Sequence, residues 1–324
     1  MIDGNGRTID YLRISVIDRC NLRCVYCMPE EGVEAVPHKE ILSYEEMIRL
    51  VKVFANLGFR KIKLTGGEPL VRRNLAYLVK EIKHIPGIEQ VTLTTNGILL
   101  AENMEALAES GLDGINLSLD TLNSEVFQKI ARRDSFEKVM EGFRAALKYS
   151  QIPLKINCVP MGIPDQDILG MAELAKKYPV HVRFIEMMPI GLGKQFECCS
   201  EEKILQGLQE RYGDYVPYEK ILGNGPGHYY TFEGFLGKIG FISAISHKFC
   251  GECNRVRLTS QGYLKTCLQY DVGADLKTLL RENTEEEILS GAIKDAIMGK
   301  PLGHRFGSKV ENHGEEHMMA QIGG

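Results

Sequence analysis

The residues with the most chemistry to offer are the nine cysteines, and their spacing sorts them into three groups. Cys20, Cys24 and Cys27 form CxxxCxxC within RCNLRCVYC, residues 19–27. Cys250 and Cys253 form CxxC, and Cys267 follows after thirteen further residues. Cys158, Cys198 and Cys199 fit no ligand spacing and read as buried or partly buried small apolar residues. Thiols of a cytosolic chain stay reduced, so disulfide staples are not expected. A structural zinc site asks for four ligands, commonly two CxxC pairs. Here each group offers three, with His247 the nearest candidate for a fourth at the second. Soft thiolates also select iron–sulfur clusters. A four-iron cluster held by three thiolates keeps one iron open for a cofactor or substrate. Cysteine spacing by itself leaves both readings standing.

Two further stretches carry chemistry. In TGGEP (65–69) a glycine pair ends a strand, where it allows close backbone approach, and Glu68 can accept from an ammonium. In RVRL (255–258) Arg255 and Arg257 share one face of a short strand next to the second cysteine group.

These groups need elements to position them. Strands are expected at 11–17, 61–65, 90–97, 114–120, 153–159 and 180–186, with helical patterns between. Ser43 followed by Glu46 is a capping box that opens a helix ending near Gly58. Phe136, Val139, Met140, Phe143 and Leu147 mark another amphipathic stripe. Alternating strands and helices imply parallel βαβ units, here an incomplete (β/α)6 barrel or a strongly curved open sheet. Strand parity says more. Leu12, Ile14 and Val16 oppose Arg13 and Ser15; Ile62 and Leu64 oppose Lys61, Lys63 and Thr65. Val91 and Leu93 oppose Thr92, Thr94 and Asn96; Ile115, Leu117 and Leu119 oppose Asn116, Ser118 and Asp120. Leu154 and Ile156 oppose Lys155 and Asn157, whereas both faces of the sixth strand are mixed. The apolar faces must meet the helices, so the polar sets line the interior. An interior holding Arg13, Lys63 and Lys155 suits an anionic small molecule such as a phosphate ester.

After Pro189 the rhythm breaks. Residues 1–189 are expected to form the partial barrel, and 190–324 a smaller appendage over its open side. The appendage holds a helix in EEKILQGLQERYG, short strands in HYYTFEG and KIGFISAIS, and an amphipathic helix in 283–301. Arg72, Arg73, Arg132 and Arg133 read as solvated cations, His313 and His317 as exposed tail, and Tyr229 and Tyr230 as packing within the appendage. The 324 residues are 44% hydrophobic with a formal charge of −4, which argues against nucleic-acid or membrane adhesion. The first thirteen residues lack the apolar core of a signal peptide, so a soluble, cytoplasmic protein is expected. No GxxxxGK[ST] phosphate loop occurs.

CxxxCxxC with Tyr26 before its last cysteine, at the end of a first barrel strand, resembles the radical S-adenosylmethionine (SAM) superfamily. TGGEP one βα unit later supports this. The resemblance implies a radical SAM-type partial barrel and a 4Fe-4S cluster on Cys20, Cys24 and Cys27. Its open iron would chelate SAM, whose reductive cleavage gives a hydrogen-abstracting 5′-deoxyadenosyl radical. The C-terminal pattern CxxCNRxRLTxxGxLxxCL (250–268) is similar to that of the GTP 3′,8-cyclase family, which begins molybdenum cofactor biosynthesis. DRCNLRCVYCMP, LTGGEPL, TTNG, LSLDTL, RFIEMM, the Lys300-Pro301 and His304 set and the final Gly323-Gly324 fit the same family. One departure is Met187-Met188-Pro189, where members usually carry an aromatic, Met and Asp.

Position by position, the resemblance implies SAM contacts at Tyr26, Gly67, Glu68, Ser118 and Met188. It implies GTP contacts at Arg13, Lys63, Thr94, Lys155, Arg255, Val256 and Arg257, and a second 4Fe-4S cluster on Cys250, Cys253 and Cys267. Arg13, Arg255, Arg257, Gly323 and Gly324 would take part in turnover, with the tail threading toward the site. The activity implied is that of a lyase turning GTP into (8S)-3′,8-cyclo-7,8-dihydroguanosine 5′-triphosphate. Implied partners are a flavodoxin- or ferredoxin-like electron donor, the downstream cyclic pyranopterin monophosphate synthase, and a second copy in a homodimer. A peptide-modifying radical SAM enzyme with an auxiliary cluster is one alternative, and a zinc-stapled binding module another.

Overall fold

The computed structural model describes residues 1–34, 36–197, 199–282, 284–306 and 318–323. All six expected strands form: β1 Tyr11–Ser15, β2 Lys61–Thr65, β3 Gln90–Thr95, β4 Gly114–Ser118, β5 Leu154–Cys158 and β6 His181–Ile185. Neighbours pair in parallel in that order. Helices α1 Tyr44–Asn56, α2 Leu75–Lys83, α3 Leu100–Glu109, α4 Ser124–Ala131 and α5 Phe136–Leu147 make the crossovers on one side. Short α6 Ile168–Met171 and α7 Glu173–Lys177 lead into β6. The capping box is present: Glu46 N–H donates to Ser43 Oγ at 3.1 Å, and Ser43 N–H to the Glu46 carboxylate at 2.7 Å.

Parity translates directly into packing. Leu12, Ile62, Val91, Ile115 and Ile156 are fully or almost fully buried against the helices. Each such side chain contributes about 1.5–3 kcal/mol of burial free energy. The alternate residues turn to the concave side. Register then aligns them: Arg13 pairs with Lys63, Asn116 with Lys155, and Asn157 with Arg183.

The C-terminal half departs from expectation. It extends the same sheet at both edges rather than only covering its open side. Strands β7 Tyr215–Tyr218, β8 His228–Phe232 and β9 Ile239–Ile242 follow helix α8 Glu201–Tyr212. Next come β10 Arg255–Leu258, β11 Tyr263–Lys265 and β12 Gly273–Asp275, then α9 Leu276–Arg281, α10 Glu286–Met298 and α11 Met319–Ile322. β9 joins β6 in parallel and β10 joins β1 in parallel, with antiparallel hairpins outside them. The sheet order is β12-β11-β10-β1-β2-β3-β4-β5-β6-β9-β8-β7, open between β12 and β7. The added strands satisfy the backbone groups that β1 and β6 would otherwise expose at their edges. Their parity also brings Arg257 alongside Arg13 in the register.

Arg72 is a second correction. Expected in solvent, it donates to the Val16 carbonyl at 2.5 Å and the Leu42 carbonyl at 2.8 Å, and lies 4.2 Å from the Tyr44 ring centre. Tyr229 packs as expected, 3% exposed, against the His181 ring. Among the described residues no helix is long and apolar enough to cross a membrane.

Candidate active site

The loop after β1 carries the first cysteine group. Cys27 N–H donates to the Cys24 carbonyl at 2.9 Å, a tight turn that brings these two thiols together. All three are free and half-buried. Leu22 N–H and the Asn96 side-chain amide reach Cys20 Sγ at 3.4 and 3.8 Å, and the Ala320 N–H reaches the Cys27 thiol. Burial, then the neighbouring Glu68 charge, pushes Cys20 up to about 11. Burial and Cys20 push Cys27 up to about 12, and burial with Cys27 and Asp120 holds Cys24 well above the ordinary thiol value. Protonated thiols become ligands only by releasing protons to incoming metal.

Glycines 66 and 67 have a more specific reason than access for a ligand. A Cβ on Gly66 would lie 2.6 Å from the Ile17 carbonyl oxygen, and one on Gly67 2.3 Å from that of Arg19. Any side chain there would push the cysteine loop away. Glu68, 1% exposed, accepts from Thr95 Oγ1 at 2.8 Å and from the N–H groups of Leu70 at 3.0 Å and Asn96 at 2.7 Å. Burial raises its carboxyl to about 7 despite these donors. Tyr26 donates to Asp120 at 2.9 Å, and burial raises Asp120 to about 6.

The second cysteine group frames the start of β10 and the end of β11. Cys253 N–H donates to the Cys250 carbonyl at 3.2 Å. Burial pushes the Cys253 thiol up, but Lys300 and Arg255 outweigh it and bring the thiol down to about 7. Both groups line one cavity of about 610 Å³. Among the described residues no three His, Cys, Asp or Glu converge tightly enough for a single ion. Each group offers three free thiols, and soft thiolates are the donor set that an iron–sulfur cluster takes.

Between the two groups the cavity wall is cationic. Arg13, Lys63, Lys155, Arg255 and Arg257 all line it, together with Thr94, Ser118, Gly67 and Met188. Arg183, which the mixed pattern of the sixth strand concealed, lines it too and donates to Asn157 Oδ1 at 2.5 Å. Its signal was the inward alternation His181, Arg183, Ile185. Burial, then mutual repulsion, lowers Arg13 to about 10, Lys155 to about 8, and Lys63 well below the ordinary lysine value. Such a wall is short of negative charge, and a polyanion would relieve it.

Other expected residues behave differently. Val256 is 1% exposed on the helix-facing side of β10, so only its main chain is left for a ligand. Met187 lines the cavity as well as Met188. Gly323 has a φ of +84°, its carbonyl accepts from Arg257 at 2.8 Å, and a Cβ there would meet Ser15 Cβ at 2.9 Å. Gly323 therefore sits at the ends of β1 and β2, beside Ser15 and Thr65. Gly324, Cys198, His313 and His317 lie outside the described residues.

Comparison with known proteins agrees with this geometry. Residues 14–175 match the model of the radical SAM superfamily, and residues 180–306 that of Molybdenum Cofactor Synthesis C. The chain is 45% identical to GTP 3′,8-cyclase from Desulforamulus reducens and 47% identical to GTP 3′,8-cyclase from Syntrophomonas wolfei, with 100% of both chains covered in each case. Among solved structures, Streptococcus suis SuiB bound to precursor peptide SuiA superposes with a TM-score of 0.61 at 15% identity. That match covers 91% of this chain and 66% of SuiB, just under two thirds of that chain, and shows the fold alone. Full-length similarity together with both family models establishes that this chain belongs to the GTP 3′,8-cyclase family of the radical SAM superfamily.

Proposed function

We propose that the chain converts GTP into (8S)-3′,8-cyclo-7,8-dihydroguanosine 5′-triphosphate for molybdenum cofactor biosynthesis. The observation that carries this reading is one cavity with a three-thiol site at each end and Arg13, Lys63, Lys155, Arg183, Arg255 and Arg257 between them. Cys20, Cys24 and Cys27 would hold the 4Fe-4S cluster of the superfamily. That cluster and SAM together supply reductive cleavage of the sulfonium and hence a hydrogen-abstracting radical. The chain's own residues bind, orient and exclude water. Tyr26, Gly67, Glu68, Ser118 and Met188 would form the SAM side, with buried Glu68 accepting from the cofactor's amine. The arginines and lysines would neutralise the triphosphate and hold ribose C3′ toward the SAM side. Thr94 adds a hydroxyl to the same wall.

Cys250, Cys253 and Cys267 would hold a second 4Fe-4S cluster whose open iron orients the guanine. Gly323 and Gly324 would complete the site; at Gly323 a Cβ would crowd Ser15 and Thr65. The division at residue 189, with the cofactor on 1–189 and the second cluster on 190–324, is part of this proposal. So are a flavodoxin- or ferredoxin-like electron donor, product transfer to cyclic pyranopterin monophosphate synthase, and a homodimer.

A peptide-modifying enzyme could share the fold, since SuiB, whose fold this chain resembles, is seen bound to a precursor peptide, but it has no use for the cationic wall. The deciding experiment is anaerobic incubation with SAM, reductant and each nucleoside triphosphate in turn, followed by mass analysis. We expect a cyclised product from GTP alone, with deletion of Gly323-Gly324 removing it while SAM cleavage continues. Turnover of a peptide instead, or of no nucleotide, would overturn the reading.

A further inference from the structure

Residues 1–9 carry no motif, yet they make a dense buried contact with the second cysteine site. Asp3 and Arg7, 4% and 7% exposed, form an ion pair at 2.7 Å. The Arg7 guanidinium then donates to the carbonyls of Cys250 at 2.9 Å, Leu302 at 2.9 Å and Pro301 at 2.8 Å. Asn5 adds its side-chain amide to the Lys300 carbonyl at 2.8 Å. One planar fork with five donors thus grips the segment 300–302 and the first cysteine of the site together. Gly303 belongs to the same contact, because a Cβ there would lie 3.1 Å from Cys250 Cβ.

What this grip holds in place is Lys300, itself 4% exposed. Its ammonium donates to the carbonyl of Arg255 at 3.0 Å and to that of Thr266. Arg255 lies two residues beyond Cys253 and Thr266 immediately precedes Cys267, so one side chain ties both ligand-bearing strand ends. An ammonium has three N–H donors, and two go to these carbonyls. Among the described residues no carboxylate forms an ion pair with it, and the nearby thiols of Cys253 and Cys267 favour its charge. A buried cation with no carboxylate partner is costly unless negative charge arrives beside it.

We propose that Lys300, gripped through its backbone by Arg7, is a positioning residue for the second three-cysteine site. It sets the separation of Cys253 and Cys267 and offsets the charge of their thiolates. This rests on the reading that a second cluster occupies that site. The N-terminal hook is then part of the second site, although it leads into the strand that carries the first.

The test uses the full-length chain, reconstituted anaerobically with iron and sulfide, as wild type, Lys300→Met, Lys300→Arg and Arg7→Lys. Iron and acid-labile sulfide per chain, the paramagnetic resonance signal of each reduced cluster, and SAM cleavage without GTP are measured. Wild type should hold about eight irons and Lys300→Met about half as many, with the first cluster's signal and SAM cleavage persisting. Lys300→Arg, which keeps the charge, should recover most of the second signal, and Arg7→Lys should fall between. A full complement of iron with an unchanged second signal in Lys300→Met would overturn the proposal. Parallel loss of both clusters would also overturn it, because the role would then be general to the fold. Wild type with about four irons would sink the two-cluster reading itself, a distinguishable result.

Discussion

Around Cys20, Cys24 and Cys27, burial and nearby acids push the thiols up, with Glu68 and Asp120 contributing. Around Cys253, Lys300 and Arg255 pull in the other direction and prevail over burial. The two ends of one cavity therefore differ in sign. The acid-lined end suits a cofactor that carries a sulfonium and an ammonium. The cationic wall that leads from there to the other end, with Arg13, Lys63, Arg255 and Arg257, suits a triphosphate. On the proposed reading, polarity of the cavity would help to order the two ligands along it, with the radical source at one end and the substrate beside the cationic wall.

The largest effect should come from separating the two ends. Cys24→Ala should abolish SAM cleavage and cyclisation together, by about a thousandfold or more. Cys253→Ala should abolish cyclisation to the same degree while SAM cleavage continues. Product analysis by mass and 5′-deoxyadenosine release checks both, and loss of SAM cleavage in Cys253→Ala would break the comparison.

A smaller effect concerns pH. Burial, then Arg183, lowers Lys155 to about 8 from the ordinary 10.5. Below pH 8 its ammonium is already present to meet the triphosphate. Above it, binding must take up a proton, so GTP affinity should fall by up to about tenfold per pH unit until the ordinary lysine range is reached. Calorimetric titration of GTP between pH 7 and 9.5 reads this directly. A flat profile would mean that Lys155 takes no part.

The smallest effect sharpens the distinction between wall and core. Val256→Ala removes buried methyls beside Leu12 and should cost about 1–2 kcal/mol of stability, with the KM for GTP within about twofold of wild type. Thermal unfolding and steady-state kinetics check the two halves of this expectation. A tenfold rise in KM would place the Val256 side chain against substrate.

Much of this was legible along the chain because it is written at short range. Cysteine spacing, the Ser43 cap and the period-two alternation of β1 to β5 depend on a few adjacent residues. The polar faces that parity assigned to the interior, with Arg13, Lys63, Thr94, Ser118 and Lys155, are the faces that line the cavity. The sixth strand shows where this fails. Its helix side is Val182 and Phe184, and its inner side mixes His181 and Arg183 with Ile185, so alternation in polarity was lost although alternation in direction was not.

Local spacing and strand parity, then, determined the thiol groups, the inner face and its charge. Tertiary structure alone decided that β9 and β10 would close onto β6 and β1, that Gly323 would meet Arg257, and that Arg7 would hold Cys250 across 243 residues. The reason is physical. Backbone conformation and side-chain direction follow from neighbours in sequence. Which distant segment pairs with an open strand edge or a buried guanidinium follows from satisfying every polar group in the folded interior at once.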